Sequence, residues 1–522
     1  MSDVIVIGGG LNGLVAGAYL ARHKRSVTIL EQRQTVGGAA ITTEFVPGFR
    51  VPTLSHSLGP VSRDVIRALH LDRAGLELKL TDPALTTLGR NGQSIVFHRD
   101  PVLTAGAINR VSPDDAVRWS EFLKLAHKIG AIAARISRRA PPSIDDATAR
   151  DWWQLIRLAR TARSLGRRDL ARVLRWVPMP VADLAAEWFS SELLRAALAA
   201  QAIFGNPVGP MSAGTGGMLL QRLGLDPYPL GSGATVKGGP GALANAVAKV
   251  AERAGATIRT GARVARILSR GGVATGVVLE NGDELAATTI IAAIDPKRTL
   301  TALVDPVELP PSLRERASRI RARGVTAKVN LALSGPPVLS ELEGDPLPLR
   351  GRLLVAPDIA YLERAFDATK YGEISAEPWL EVSVPTMTDS SLADGGHVMS
   401  ICAHYAPRHL RSGQWADKKD ALYQSVLRVL EPHMPGLKAL IVGREILTPE
   451  DLERGWGMSG GHIFHGEPAI DQSWIARPLL GWSQYRTPVT GLYLASAGVH
   501  PGGGLTGLPG LLAAQVVERG RR

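Results

Sequence analysis

Val4-Ile5-Val6-Ile7-Gly8-Gly9-Gly10-Leu11-Asn12-Gly13 is a β-branched run that breaks into a glycine turn, after which Leu14 to Arg22 carries a helical pattern. Strand, turn and helix in that order open a dinucleotide-binding unit. Gly8 permits the tight turn, Gly10 lets the backbone approach a pyrophosphate, and Gly13 lets the helix pack close to the strand. Free N–H groups at the helix start, where Leu11 and Asn12 stand, and the helix dipole then bind phosphate. A second strand, Val27-Thr28-Ile29-Leu30, delivers Glu31, 18 residues after Gly13. An acid at that place accepts hydrogen bonds from the adenosine ribose hydroxyls.

The next segment favours FAD over NAD. Glu31-Gln32-Arg33 leads into Gly37-Gly38-Ala39-Ala40, a glycine doublet shortly after the acid that offers a second phosphate approach. Here the sequence resembles the flavoprotein superfamily of amine oxidases and phytoene desaturases, whose members carry this doublet after the ribose-binding acid. Lys237-Gly238-Gly239-Pro240-Gly241 leads into a helix and then a strand, followed by Gly261-Ala262-Arg263-Val264. The resemblance implies that Gly238 and Gly239 border the substrate side and that the Val264 backbone touches the adenine.

Gly491 to Gly504 is another strand that meets a helical run, Leu505 to Arg519, through glycines. It resembles the C-terminal signature of phytoene desaturase-like enzymes, in the branch named for a pyridine nucleotide-disulfide oxidoreductase domain. The resemblance places Gly498, Pro501, Gly502, Gly503, Gly504 and Leu505 against the flavin ring and ribityl chain. A helix N-terminus near N1 and O2 of the flavin favours its reduced, anionic form. His500 is the candidate catalytic residue, facing ring or substrate. The segment Gly457 to Gly466 resembles the same branch, and its His462 and His465 join His56 as substrate-side candidates. Two histidines three apart without a third ligand or an HExxH arrangement suggest pocket lining or hydrogen bonding, so no metal is expected.

The expected fold class is α/β: a discontinuous Rossmann-like FAD-binding domain with a mixed α+β substrate domain and a helical cap. The FAD-binding domain is assigned to residues 1–90, 226–305 and 456–522. Residues 91–225, rich in Ala, Leu and Arg, form the helical cap, and 306–455 the substrate-binding domain. Within these, Asn281-Gly282 marks a hairpin tip, Thr289 to Ile294 a buried strand, and Ser312 to Arg323 and Lys418 to Leu430 helices.

A chain of 522 residues with 45% apolar, 21% charged and 5% aromatic content reads as a soluble enzyme of two or three domains. The single cysteine, Cys402, excludes an intramolecular disulfide and any cysteine-based zinc or iron–sulfur site. It also suggests a reducing compartment. With a strand beginning at Val4 and no apolar stretch of about 18 residues, neither a secretory leader nor a membrane span is expected, and the address is cytoplasmic.

Eleven arginines and four aspartates between Arg135 and Arg175 give that stretch +7 of the total +12. Leu155, Leu158, Ala159, Ala162 and Leu165 fall on one side of a helix, and Arg157, Arg160, Arg163 and Arg167 toward the other, with Trp152 and Trp153 at its start. The two readings are a solvated cap helix and a dock for an anionic membrane surface, which would make the protein peripheral to a membrane. Nucleic acid is not an expected partner, because no recognition motif or aromatic-basic platform accompanies the charge.

The resemblance implies hydride transfer from a small lipophilic or polyene substrate to flavin N5, a desaturation. With no second GxGxxG after a strand, reoxidation falls to oxygen or a quinone rather than NAD(P). An isomerase or saturase shares this architecture, and an amine oxidase is a further alternative, although no paired aromatic cage is evident. A flavin-stabilised interaction protein at a membrane surface is the alternative from outside enzymology.

Overall fold

The computed structural model describes residues 2–55, 58–59, 61–145, 147–226 and 228–520. Val4–Ile7 is buried on both faces and lies at the centre of a five-stranded, all-parallel sheet in the order Leu492–Leu494, Thr289–Ala292, Val4–Ile7, Val27–Leu30, Thr257–Arg259. Parallel sheets need cover on both faces, and here the helices Leu11–Arg22, Pro240–Arg253 and Leu508–Arg519 supply much of it through Val15, Leu243, Val247 and Leu511. Four segments distant in sequence thus share one sheet. An antiparallel three-stranded unit, Val264–Arg270, Val273–Leu279 and Glu284–Ala286, continues from it.

A second sheet has seven strands, in the order Ile441–Leu447, Thr326–Leu333, His397–His404, Leu380–Ser383, Arg352–Val355, Leu85–Leu88, Ser94–Phe97. All its pairings are antiparallel except Arg352–Val355 with Leu85–Leu88. Alternation along its strands sorts the side chains by face. Ala327, Val329, Leu331, Leu380, Val382 and Ile401 enter one apolar core with Leu422, Val426 and Leu430 of the helix Trp415–Leu430. Lys328, Asn330, Glu381, Ser400 and Cys402 therefore point to the other face, where they are buried as well.

The cap is seven helices between Pro101 and Leu225: Pro101–Asn109, Pro113–Ser137, Ala149–Arg163, Arg167–Trp176, Val181–Trp188, Glu192–Ile203 and Thr215–Leu225. Its core of Trp119, Phe122, Phe189, Leu194 and Leu198 is continuous with Leu85, Leu354 and Trp379 of the seven-stranded sheet region. Among the described residues no helix is long and apolar enough to cross a membrane.

The structure corrects four local readings. Leu85–Leu88, grouped by sequence with the nucleotide-binding segments, pairs in the seven-stranded sheet. The helix expected over 312–323 is Pro311–Ser318, because residues beyond it run toward the strand at Thr326 while Arg321 and Arg323 are held by Asp471 and Glu467. The basic helix is two helices, Ala149–Arg163 and Arg167–Trp176, separated at Gly166, whose φ of 83° ends helical geometry. The last helix starts at Leu508 rather than Leu505: Gly507 has φ 69°, and Thr506 Oγ1 accepts the Leu508 N–H at 3.2 Å.

Candidate active site

The two N-terminal glycine motifs meet each other. Gly37 donates its N–H to the Gly9 carbonyl at 2.8 Å, and Gly10 and Gly37 form a parallel bridge. A Cβ on Gly38 would lie 3.0 Å from the Gly10 Cα, so the close approach of the two backbones depends on bare glycine. Glu31 sits beneath this crossing with Oε2 accepting the Gly9 N–H at 2.8 Å and Oε1 accepting the Arg33 N–H at 2.9 Å. Burial raises its carboxyl above the usual carboxylate range, against the pull of those N–H groups.

The helix Leu11–Arg22 begins at Gly10 with no side-chain cap and no acidic residue in its first turn, which leaves its first N–H groups directed at whatever fills the turn. One cavity of about 290 Å³ opens from there, lined by Gly8, Gly10, Leu11, Asn12, Glu31, Gln32, Arg33, Gly37, Gly38, Ala39, Val264, Gly504 and Leu505. These expected cofactor-side residues are therefore brought together on one surface. Asn12 Oδ1 and Arg33 Nε are buried there without a hydrogen-bond partner among the described residues, as a site shaped for a polar ligand leaves them.

Other expected residues stand behind the surface. A Cβ on Gly13 would come within 2.0 Å of the Gly8 carbonyl oxygen, and one on Gly498 within 2.4 Å of Pro296 Cδ, so both glycines serve close packing. Gly503 meets the Phe464 ring in the same way, at 2.1 Å. Gly502 faces Arg477, and the Pro501 carbonyl accepts Gln221 Nε2 at 3.3 Å. Gly238 donates its N–H to Asp389 at 2.5 Å and Gly239 caps the helix Pro240–Arg253, both outside the cavity lining.

Of the histidines, His465 lines the cavity, with Nδ1 buried and without a hydrogen-bond partner among the described residues, and Asp295 nearby. His462 is fully buried, accepts the Phe464 N–H on Nδ1 at 3.2 Å, and is held neutral by burial with a pKa of about 3. His500 is turned to the cap: its Nε2 donates to the Ile136 carbonyl at 3.2 Å, and burial lowers its pKa to about 4. It does not line the cavity. His56 lies outside the described residues. Among the described residues no three or more His, Cys, Asp or Glu are grouped to hold a metal ion.

The opposite wall was not foreseen from sequence. Lys328 and Cys402 are paired neighbours on adjacent strands, as are Cys402 and Glu381, so the three side chains form one row across the sheet, facing the cavity. Lys328 Nζ donates to Cys402 Sγ at 3.8 Å, and burial lowers its pKa while Cys402 and Glu381 act to raise it. Arg352, on the strand beside Glu381, donates Nη1 to Glu381 at 2.7 Å and Nη2 to the Leu230 carbonyl. Phe204 and Arg222 complete this wall from the cap. The trace such residues leave in a sequence is a charge at one alternate position of an otherwise apolar strand, as in Ala327-Lys328-Val329 and Leu380-Glu381-Val382.

Arg477 organises the turn between the two walls. Fully buried, it donates to five carbonyls: Ala497 at 2.8 Å, Phe464 at 3.0 Å, Gly466 at 3.1 Å, Glu467 at 3.2 Å and Gln472 at 3.3 Å. Burial lowers its pKa to about 10, which leaves it protonated at neutral pH.

The family model for flavin-containing amine oxidoreductases matches residues 11–516. The chain belongs to that family. It is 33% identical to pyridine nucleotide-disulfide oxidoreductase domain-containing protein 2 of Rattus norvegicus, over 99% of this chain and 93% of that protein. It is 28% identical to the neurosporene-forming phytoene desaturase of Cereibacter sphaeroides, with the same two coverages, 99% and 93%. Among solved structures, a putrescine oxidase variant shares the fold with a TM-score of 0.60 at 16% identity, covering 99% of each chain. This chain is thus an FAD-dependent oxidoreductase of the amine oxidase and phytoene desaturase superfamily, and the glycine crossing, the uncapped helix and the unpaired Asn12 and Arg33 atoms suit that cofactor.

Proposed function

We propose that this flavoprotein dehydrogenates a lipophilic substrate, desaturating a carbon chain, with oxygen or a quinone as the final electron acceptor. The observation that carries the reading is that one continuous cavity joins the glycine crossing to the wall of Phe204, Lys328 and Cys402. Bound against the glycine side, FAD supplies a hydride acceptor at N5. Leu54, Leu58, Phe204, Ile463 and Phe464 give the remaining space an apolar lining that excludes water and suits a hydrocarbon chain. Lys328, whose pKa burial lowers, is the cavity group suited to take the accompanying proton on Nζ. The likeness to a phytoene desaturase supports a substrate of this class.

The same reading seats the protein at an anionic membrane, from which a lipophile can enter. Trp152, Trp153 and Ile156 are exposed on the helix Ala149–Arg163, beside Arg157, Arg160 and Arg163. Leu155, Leu158 and Ala162 are only half-buried and Ala159 is exposed, so this helix packs weakly on the body while Leu165 anchors its end. Exposed tryptophan beside arginine is the composition of an interfacial helix.

The test is anaerobic mixing of the FAD-loaded enzyme with polyenes and long-chain alkenes while the flavin absorbance is followed. Bleaching with a product two hydrogens lighter supports desaturation. Bleaching by amines alone, or conversion of a polyene without any change in its hydrogen count, would sink it.

A further inference from the structure

The Arg222 guanidinium has no hydrogen bond or ion pair with any described residue, although it is walled in between cap and sheet. It rises from the last turn of Thr215–Leu225, its guanidinium carbon 5.7 Å from the Phe204 ring centroid, and it lines the cavity. Its Nε is buried without a partner among the described residues. Desolvation is the largest influence on it and works against its charge, and the neighbouring Arg352 adds repulsion.

The two carboxylates nearest in electrostatic terms are both engaged elsewhere. Glu381 is held by Arg352 Nη1 at 2.7 Å. Asp226 accepts the Tyr228 N–H at 3.1 Å and the Ser232 N–H at 2.7 Å. The wall formed by Arg222, Arg352 and Glu381 therefore carries more cationic groups than anionic ones. An enclosed guanidinium without a counter-ion is destabilising, and a fork of N–H donors is matched by the two oxygens of a carboxylate or by a phosphate.

We infer that the substrate is an amphiphilic acid, and that its oxyanion head, a carboxylate or phosphate ester, is bound by Arg222 on the cap side of the cavity. This rests on the proposed reading of the cavity as the site of a lipophile, and it narrows that class: a neutral hydrocarbon would fill the apolar lining and leave the Arg222 charge uncompensated. Arg222 is on this account a specificity-determining residue. It discriminates by charge, while the apolar lining accepts the chain.

The experiment is calorimetric titration of the FAD-loaded protein with decanoate, decyl phosphate and decanol, which share a chain and differ in the head. At least one of the two acids is expected to bind ten-fold or more tightly than decanol, and the better acid identifies the head. In Arg222→Met that preference is expected to fall below three-fold, and in Arg222→Lys to be partly kept. Equal binding of all three by the wild-type protein overturns the inference without any variant having to fold. So does an acid preference that survives in Arg222→Met, and so does a variant that loses FAD or shifts the flavin potential while still preferring the acid, since Arg222 would then serve the flavin. A wild-type protein that binds no FAD at all would instead undo the oxidoreductase reading, and the comparison of acid with alcohol on that same sample would still report on Arg222.

Discussion

Glu31 reaches under the glycine turn and accepts the Gly9 N–H at 2.8 Å, so the acid that ends the second strand also fixes the loop that follows the first. Its replacement removes two things at once, the expected acceptor for the ribose hydroxyls and the brace on the turn. Glu31→Ala is expected to weaken FAD binding by roughly 1.5–3 kcal/mol, the range for hydrogen bonds to a charged group. Fluorescence titration of the flavin-free protein checks this, and Glu31→Gln, which keeps the shape, should fall between.

Two glycines in the same turn separate folding from binding. Gly13→Ala drives a methyl to within 2.0 Å of the Gly8 carbonyl oxygen, and overpacking of that kind destabilises by about 1–3 kcal/mol. A methyl on Gly10 meets nothing nearer than the Gly38 Cα at 3.7 Å. Gly10→Ala should therefore unfold in urea close to wild type and yet purify with little FAD. Equal loss of stability in both variants would contradict that division.

Arg477→Met removes a donor from five carbonyls, of which that of Glu467 keeps another in Gln472 Nε2 at 3.1 Å. Each unsatisfied buried group costs on the order of 1–3 kcal/mol before relaxation, so a loss of more than about 3 kcal/mol is expected. Because Phe464 and Ala497 line the cavity, the variant should lose FAD at a lower urea concentration than it loses secondary structure. Parallel flavin-fluorescence and circular-dichroism melts distinguish the two events.

Stability should fall steeply on mild acidification. His462 and His500 are buried with pKa values of about 3 and about 4, below the value of 6.5 that applies when they are exposed. Above pH 6.5 both are neutral in either state. As the pH drops from there toward 4 the unfolded chain takes up protons that the folded one refuses, and the folded state loses up to ~2.7 kcal/mol per pH unit. Urea midpoints measured from pH 7 to 5 should show the slope, and a His500→Asn variant should show a shallower one.

At the cap, Ala149–Arg163 should bind vesicles containing phosphatidylserine. Each basic residue near such a surface is worth about 1 kcal/mol, so Arg157→Ala, Arg160→Ala and Arg163→Ala together should lower binding about a hundred-fold. Trp152→Ser with Trp153→Ser should weaken it at high salt, where the charges are screened. Cosedimentation that is unchanged in both variants would leave the helix as a solvated cap.

What could be read in the sequence was local. Gly8 to Gly13, Glu31 and Gly37-Gly38 belong to one strand–helix–strand unit and the turn after it, so spacing alone nearly determines their geometry, and the structure brings Gly8, Gly10, Glu31, Gly37 and Gly38 onto one surface with Gly13 packed behind it. Lys328, Glu381 and Cys402 are adjacent only through sheet register, which no stretch of sequence displays. Nothing in the sequence around Arg222 or Arg477 sets either apart from other arginines. Their importance comes from burial, and burial is settled by elements far away. The two-helix form of the basic stretch was hidden for a different reason: the apolar positions keep phase across Gly166, while the backbone there does not.

The parallel sheet has an implication for how the protein is made. Its second strand out from Val4–Ile7 on one side is Leu492–Leu494, with Thr289–Ala292 between them. During synthesis the first glycine turn leaves the ribosome several hundred residues ahead of the strand and helix that flank Gly504 and Leu505. A nascent chain that has not reached these segments can offer the nucleotide only part of its surroundings, so full retention of FAD waits for their translation. Flavin supply and the arrival of this distant strand are in this way coupled steps in the birth of the enzyme.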